Sequence, residues 1–223
     1  MPAPCGHIAL VQSWLLLSLT AQSRAQACLR GMLSNVSVSH MANITSRHFR
    51  RFSAPVGEVR AWLNHTWTGT GRDLFPSDLI ATTRENPRDV AMDALIPGVT
   101  ICTHGPLAFR VDRNDAEELR FATPYGSHGF IVKEVDGQTQ VEHVLSMDFP
   151  LWLRAVWVLG IRSGHDFAVE AIFDRLETTL RTGAIPTRTE RALSPGLRLM
   201  RLVLTSPLMK HVRAWFVRNL AHA

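Results

Sequence analysis

The feature that most constrains this chain is a ladder of short runs between residues 95 and 147, each alternating apolar and polar and each closed by turn residues. The runs are Leu95 to Thr103, Leu107 to Arg113, Glu117 to Thr123, Gly129 to Glu134 and Thr139 to Met147. Their separators are Gly105-Pro106, Asn114-Asp115, Pro124-Tyr125-Gly126 and Asp136-Gly137. Successive side chains of a strand point to opposite faces, so each run has one apolar and one wet side. An Asp-Gly pair between two such runs is the signature of a two-residue hairpin, whose central positions need positive φ. The pattern predicts an antiparallel meander with one face buried. That face takes Val99, Ile101, Leu107, Phe109, Val111, Leu119, Phe121, Phe130, Val132, Val141, Leu145 and Met147.

The flanks of the ladder supply the other elements. Asn43 to Phe52 reads as a strand, and Pro55 then opens a short helix whose apolar positions are Val56, Val59, Ala61, Trp62 and Leu63, proline being tolerated in a first helical turn. Between Asn64 and Asp93 the chain is rich in glycine, proline and charge, with Leu79-Ile80-Ala81 as an edge-strand candidate. After the ladder, Pro150 to Ile161 is strongly apolar, and Ser163-Gly164-His165-Asp166 has the spacing of a capping box. Val169, Ile172, Phe173, Leu176 and Leu180 then form one helical stripe ending near Gly183. This predicts a long helix, kinked or restarted near residues 160–164, with Ile172, Phe173 and Leu176 closing the sheet face.

Strand, short helix, meander and long C-terminal helix, in that order, resemble the helix-grip fold of the START/Bet v 1-like (SRPBCC, polyketide-cyclase-like) superfamily. The likeness is carried by residues 47–59, by Glu118-Leu119-Arg120-Phe121, by Val135-Asp136-Gly137-Gln138-Thr139-Gln140-Val141 and by residues 167–180. It implies an α+β domain over residues 41–183, a curved antiparallel sheet wrapped around the long helix, and an apolar cavity between them. In that superfamily the cavity holds lipids, sterols or polyketides; some members are cyclases and many only bind or carry.

Charge and cysteine content narrow the function classes. Of the net charge of +5, residues 1–40 carry +2 and residues 181–223 carry +7, which leaves −4 for the middle. A mildly acidic domain is a poor nucleic-acid binder, because phosphate contacts need clustered Lys and Arg. Cys5, Cys28 and Cys102 have no paired spacing, which suggests neither a disulfide framework nor a zinc site and points to a reducing compartment. Ile8 to Ala21 followed by Ala25-Gln26-Ala27 imitates a signal peptide without its basic start. Residues 1–40 are therefore read as a disordered or untranslated extension before Met41, or as a weak signal-like segment; secretion stays open beside a cytoplasmic location.

No phosphate, nucleophile or metal signature emerges from spacing. Gly69-Thr70-Gly71 lacks the third glycine of a dinucleotide fingerprint, and Gly126-Ser127-His128-Gly129 lacks the order of a nucleophile elbow and reads as a turn. None of the ten histidines forms an i, i+4 pair or joins a cysteine pair, so neither metal nor cofactor is expected. His143 stands apart because it shares the inward face with Val141, Leu145 and Met147, where an imidazole needs a partner. It is a core histidine, or a polar anchor or general base in the cavity. In the tail, residues 195–221, Leu208, Met209, Val212, Trp215, Phe216 and Leu220 oppose Lys210, Arg213 and Arg218, as in a helix lying on a membrane surface or packed on the domain or on a second subunit. The expected function is binding or carrying a small hydrophobic molecule. The alternative is an aromatase/cyclase or dehydratase, which convergent ionisable groups inside the cavity would favour.

Overall fold

The computed structural model describes residues 41–67, 73–76, 82–85, 94–104, 107–150, 154, 157–188, 192–194 and 197–198. Except for Met41, all belong to one compact unit, 42–223. The signal-like segment, Leu79-Ile80-Ala81, Gly69-Thr70-Gly71 and the amphipathic tail beyond residue 198 lie outside the described residues.

Asp136 and Gly137 adopt φ of 52° and 73°, as a two-residue hairpin requires. They join the two longest strands of the meander, β6 (Gly126–Val135) and β7 (Gln138–Pro150), in unbroken register from Val135 opposite Gln138 to Gly126 opposite Met147. The preceding strands are β1 (Met41–Phe52), β2 (Thr82–Glu85), β3 (Ile101–His104), β4 (Leu107–Asn114) and β5 (Glu118–Thr123). At the β4–β5 turn, a carboxylate oxygen of Asp115 accepts from the backbone amides of Glu117 and Glu118, the local bond that makes Asp a turn former. The sheet has seven strands in the order β1-β7-β6-β5-β4-β3-β2. The first strand thus returns to the far side of the last, where Asn43 bonds Asp148 and Arg47 bonds Glu142.

Helix α1 (Val56–Leu63) follows β1, and helix α2 (Arg162–Thr182) follows a π-helical turn at Trp157–Ile161. The π-turn runs directly into α2 with Ile161 already helical, so Ser163 is not a cap and the expected capping box is absent. Asp166 is instead engaged by histidines. Gly183 ends α2 in the left-handed conformation (φ 71°), its amide bonded to the Thr179 carbonyl. Helix α2 buries Ala168, Val169, Ile172, Phe173 and Leu176, which share one core with the inward face of the sheet. The result is the helix-grip arrangement: a curved antiparallel sheet around one long helix.

Two expected face assignments need correction. Val99 lies in the turn before β3 and is 39% exposed, and Ile101 is half-buried opposite Arg110 on the outer side. The run Leu95 to Thr103 is not one strand: the chain turns at Pro97–Val99, with Gly98 at φ 76°, and the strand begins at Ile101. Counting alternation across that turn shifts the frame by one, which exchanges the faces. The inward position belongs to Cys102, opposite Phe109 and 1% exposed.

Candidate functional site

The inward face is built in cross-strand pairs. Leu119 sits opposite Phe130, Phe121 opposite His128 and Val111; Val132 faces Val141, Phe130 faces His143, and His128 faces Leu145. Phe109, Val111, Leu119, Phe121, Phe130, Val132, Val141, Leu145 and Met147 are all buried there, and Leu107 packs against them half-buried. From α2, Ile172, Phe173 and Leu176 are buried in the same core.

Two imidazoles lie in this face. His143, singled out by the sequence, is 3% exposed, and its ring meets Phe130 edge-on at 5.0 Å between centroids. His128, which the sequence left in a turn, is 5% exposed and lies in β6. Its ring is 4.3 Å from Phe109, 5.5 Å from Phe121 and 5.4 Å from Trp67, itself T-shaped on Phe121 at 4.2 Å. Glycine and serine around His128 look like turn chemistry. In the structure Gly129 is the position where β5 approaches most closely: a Cβ there would meet the Leu119 carbonyl oxygen, and the Arg120 Cα at 2.8 Å.

The imidazoles continue across the molecule. His128 and His143 are 5.8 Å apart by ring centroid, and His143 is 5.1 Å from His165 in the first turn of α2. His165 is 5.3 Å from Trp157 and 5.9 Å from His48 of β1. His165 Nδ1 lies 3.3 Å from Asp166 Oδ1, and His48 Nε2 lies 3.1 Å from that same oxygen. The other ring nitrogen of His48 is 3.4 Å from Glu170, whose second oxygen accepts from Arg50 at 2.7 Å. Arg50 also donates to Asp174 at 2.7 Å and stands over the Phe173 ring. The hydrogen bond to His165 holds the Asp166 carboxyl below the usual Asp range; partial burial opposes this and His48 reinforces it. Ligating atoms of His48, His165 and Asp166 all lie within 4.8 Å of one another. No spacing rule could reveal this cluster, since His48 and Asp166 are separated by 118 residues.

Cys102 is chemically quiet, because burial pushes its thiol up to about 12 despite nearby Arg84.

Strand order and the helix across the sheet define a helix-grip fold. Solved structures similar to the chain include protein Ms6760 from Mycobacterium smegmatis, 17% identical with a TM-score of 0.43, over 62% of this chain and 92% of that one. Ara h 8.0201 is 12% identical with a TM-score of 0.40, over 61% and 99%. CalU16 from Micromonospora echinospora, in its solution structure, is 14% identical with a TM-score of 0.39, over 82% and 99%. No family model matches the chain, and no curated protein does.

Proposed function

We propose that the chain binds a small hydrophobic molecule, a lipid, a polyketide or one of similar character, between the inner face of the sheet and α2. The observation that carries this reading is the composition of that face: aromatic and aliphatic side chains interrupted by the buried imidazoles of His128 and His143. Small-molecule sites are mostly apolar with a few placed polar groups that fix orientation, and imidazole can donate or accept. A core selected for packing alone has little use for two histidines among phenylalanines, since each polar ring must be satisfied. Native mass spectrometry of protein purified from cells tests this. The expected result is a retained adduct that leaves on denaturation; apo protein alone, with nothing extractable by organic solvent, contradicts it.

A second reading, a cyclase or dehydratase, is favoured by the same two imidazoles, whose rings lie 5.8 Å apart, if the ligand space reaches them. Ring closure or water loss on a polyketide-like substrate, measured for wild type and His143→Phe, separates the two readings. A carrier gives no turnover in either. The basic amphipathic tail, which would hold the protein against anionic lipid, is part of this proposal and not of its support.

A further inference from the structure

We propose that His48, His165 and Asp166 form a binding site for a divalent transition-metal ion such as Zn2+, on the seam between β1 and the first turn of α2. The site adjoins the pairing of His128 and His143, since His165 is 5.1 Å from His143 by ring centroid, but it does not depend on the ligand reading.

Three observations carry it. First, the donor set is right: two imidazole nitrogens and a carboxylate suit zinc, iron, nickel or copper and not the all-oxygen shells of magnesium and calcium. Second, the spacing is right. Metal–ligand bonds of about 2.0–2.2 Å put neighbouring donor atoms roughly 3.3 Å apart in a tetrahedron and roughly 2.9 Å apart in an octahedron. The two histidine-to-Asp166 separations are 3.1 and 3.3 Å, and the third edge falls within the 4.8 Å span of the cluster.

Third, an outer partner stands beside one of the two histidines. A metal-bound histidine almost always gives its other N–H to a carboxylate or carbonyl, which fixes tautomer and ring orientation. With Nε2 of His48 on the ion, Nδ1 lies 3.4 Å from a Glu170 oxygen, and Arg50 holds Glu170 at 2.7 Å. Arg162 lies 3.7 Å from Asp166 and is 65% exposed, so it can swing into solvent as the ion enters. Three protein ligands leave at least one coordination position for water or a ligand atom.

The test uses the full, untagged chain after chelator treatment. Titration with Zn2+ should show uptake of one equivalent, and Co2+ should give absorption bands of nitrogen and oxygen ligation without a thiolate charge-transfer band. His48→Gln or Asp166→Asn should weaken Zn2+ binding by more than about 100-fold, and Glu170→Gln by about 10- to 100-fold, as loss of an outer partner does. His65→Gln, at an exposed histidine outside the cluster, should change nothing. The proposal is overturned if wild type takes up no stoichiometric metal and the cluster is only hydrogen-bonded. It is equally overturned if uptake survives both ligand substitutions, or if the cobalt spectrum shows thiolate. The wild-type measurements decide even if a variant folds poorly.

Discussion

Among single residues, Arg60 has the clearest structural task. Buried in α1, it donates to the Asp115 carbonyl at 2.7 Å and to Asn64 at 2.9 Å, and it also bonds Asn114, thereby tying the helix to the β4–β5 turn. Burial pulls its pKa below the ordinary arginine value, with Asp115 opposing. Replacing it with Met leaves these acceptors without their charged donor, so Arg60→Met should cost roughly 3 kcal/mol in urea unfolding; a loss under about 1 kcal/mol would contradict the assigned role. Cys102 gives a chemical prediction at the same scale. With its thiol held near 12 and 1% exposed, it should resist iodoacetamide at pH 8 in the folded protein and react once urea unfolds it. Native labelling at the rate of an ordinary free cysteine would contradict its burial. Of the residues that matter here, His143 was legible because alternation alone puts it with Val141 and Leu145. His128 was not, because its glycine and serine neighbours carry turn chemistry whether or not they stand in a strand. His48, His165 and Asp166 have no local signal, since only the seating of β1 against α2 brings them together.

At the scale of elements, legibility follows how local the cause is. The Asp136-Gly137 hairpin is fixed by two backbone conformations and could be read from two letters. Strand β3 could not, since the turn at Pro97–Val99 resets the alternation that the letters on either side imply. The end of β7 was also missed, for Pro150 closes a strand where its apolar sequel suggested a helix start. A substitution at Gly129 probes the β5–β6 pairing most sharply. Gly129 lies opposite Arg120 on β5 and Val144 on β7, and a Cβ would strike backbone atoms of Leu119 and Arg120 that cannot move independently of the sheet. Gly129→Ala should therefore destabilise by about 2 kcal/mol or more, within or above the usual range for overpacking. A thermal melt coinciding with wild type would show that the strands can part at that point without cost.

Across the whole molecule, the inner sheet face and α2 share one apolar core. Ion pairs from Arg50 to Glu170 and Asp174 fasten the β1 edge to the helix, while the apolar residues of both elements meet behind them. Among the described residues no helix is long and apolar enough to cross a membrane. The proposed function requires an apolar molecule to bind between the inner sheet face and α2. The most direct test is fluorescence titration with N-phenyl-1-naphthylamine, a neutral probe that brightens in apolar surroundings, on wild type and on Phe109→Trp and Val141→Trp, which place a larger ring on the inward face. The account predicts saturable binding of one probe per wild-type chain, displaced by a fatty acid, and at least about tenfold weaker binding by the variants, equal to about 1.4 kcal/mol. No saturable binding to the wild type, or binding by both folded variants as tight as wild type, would contradict it.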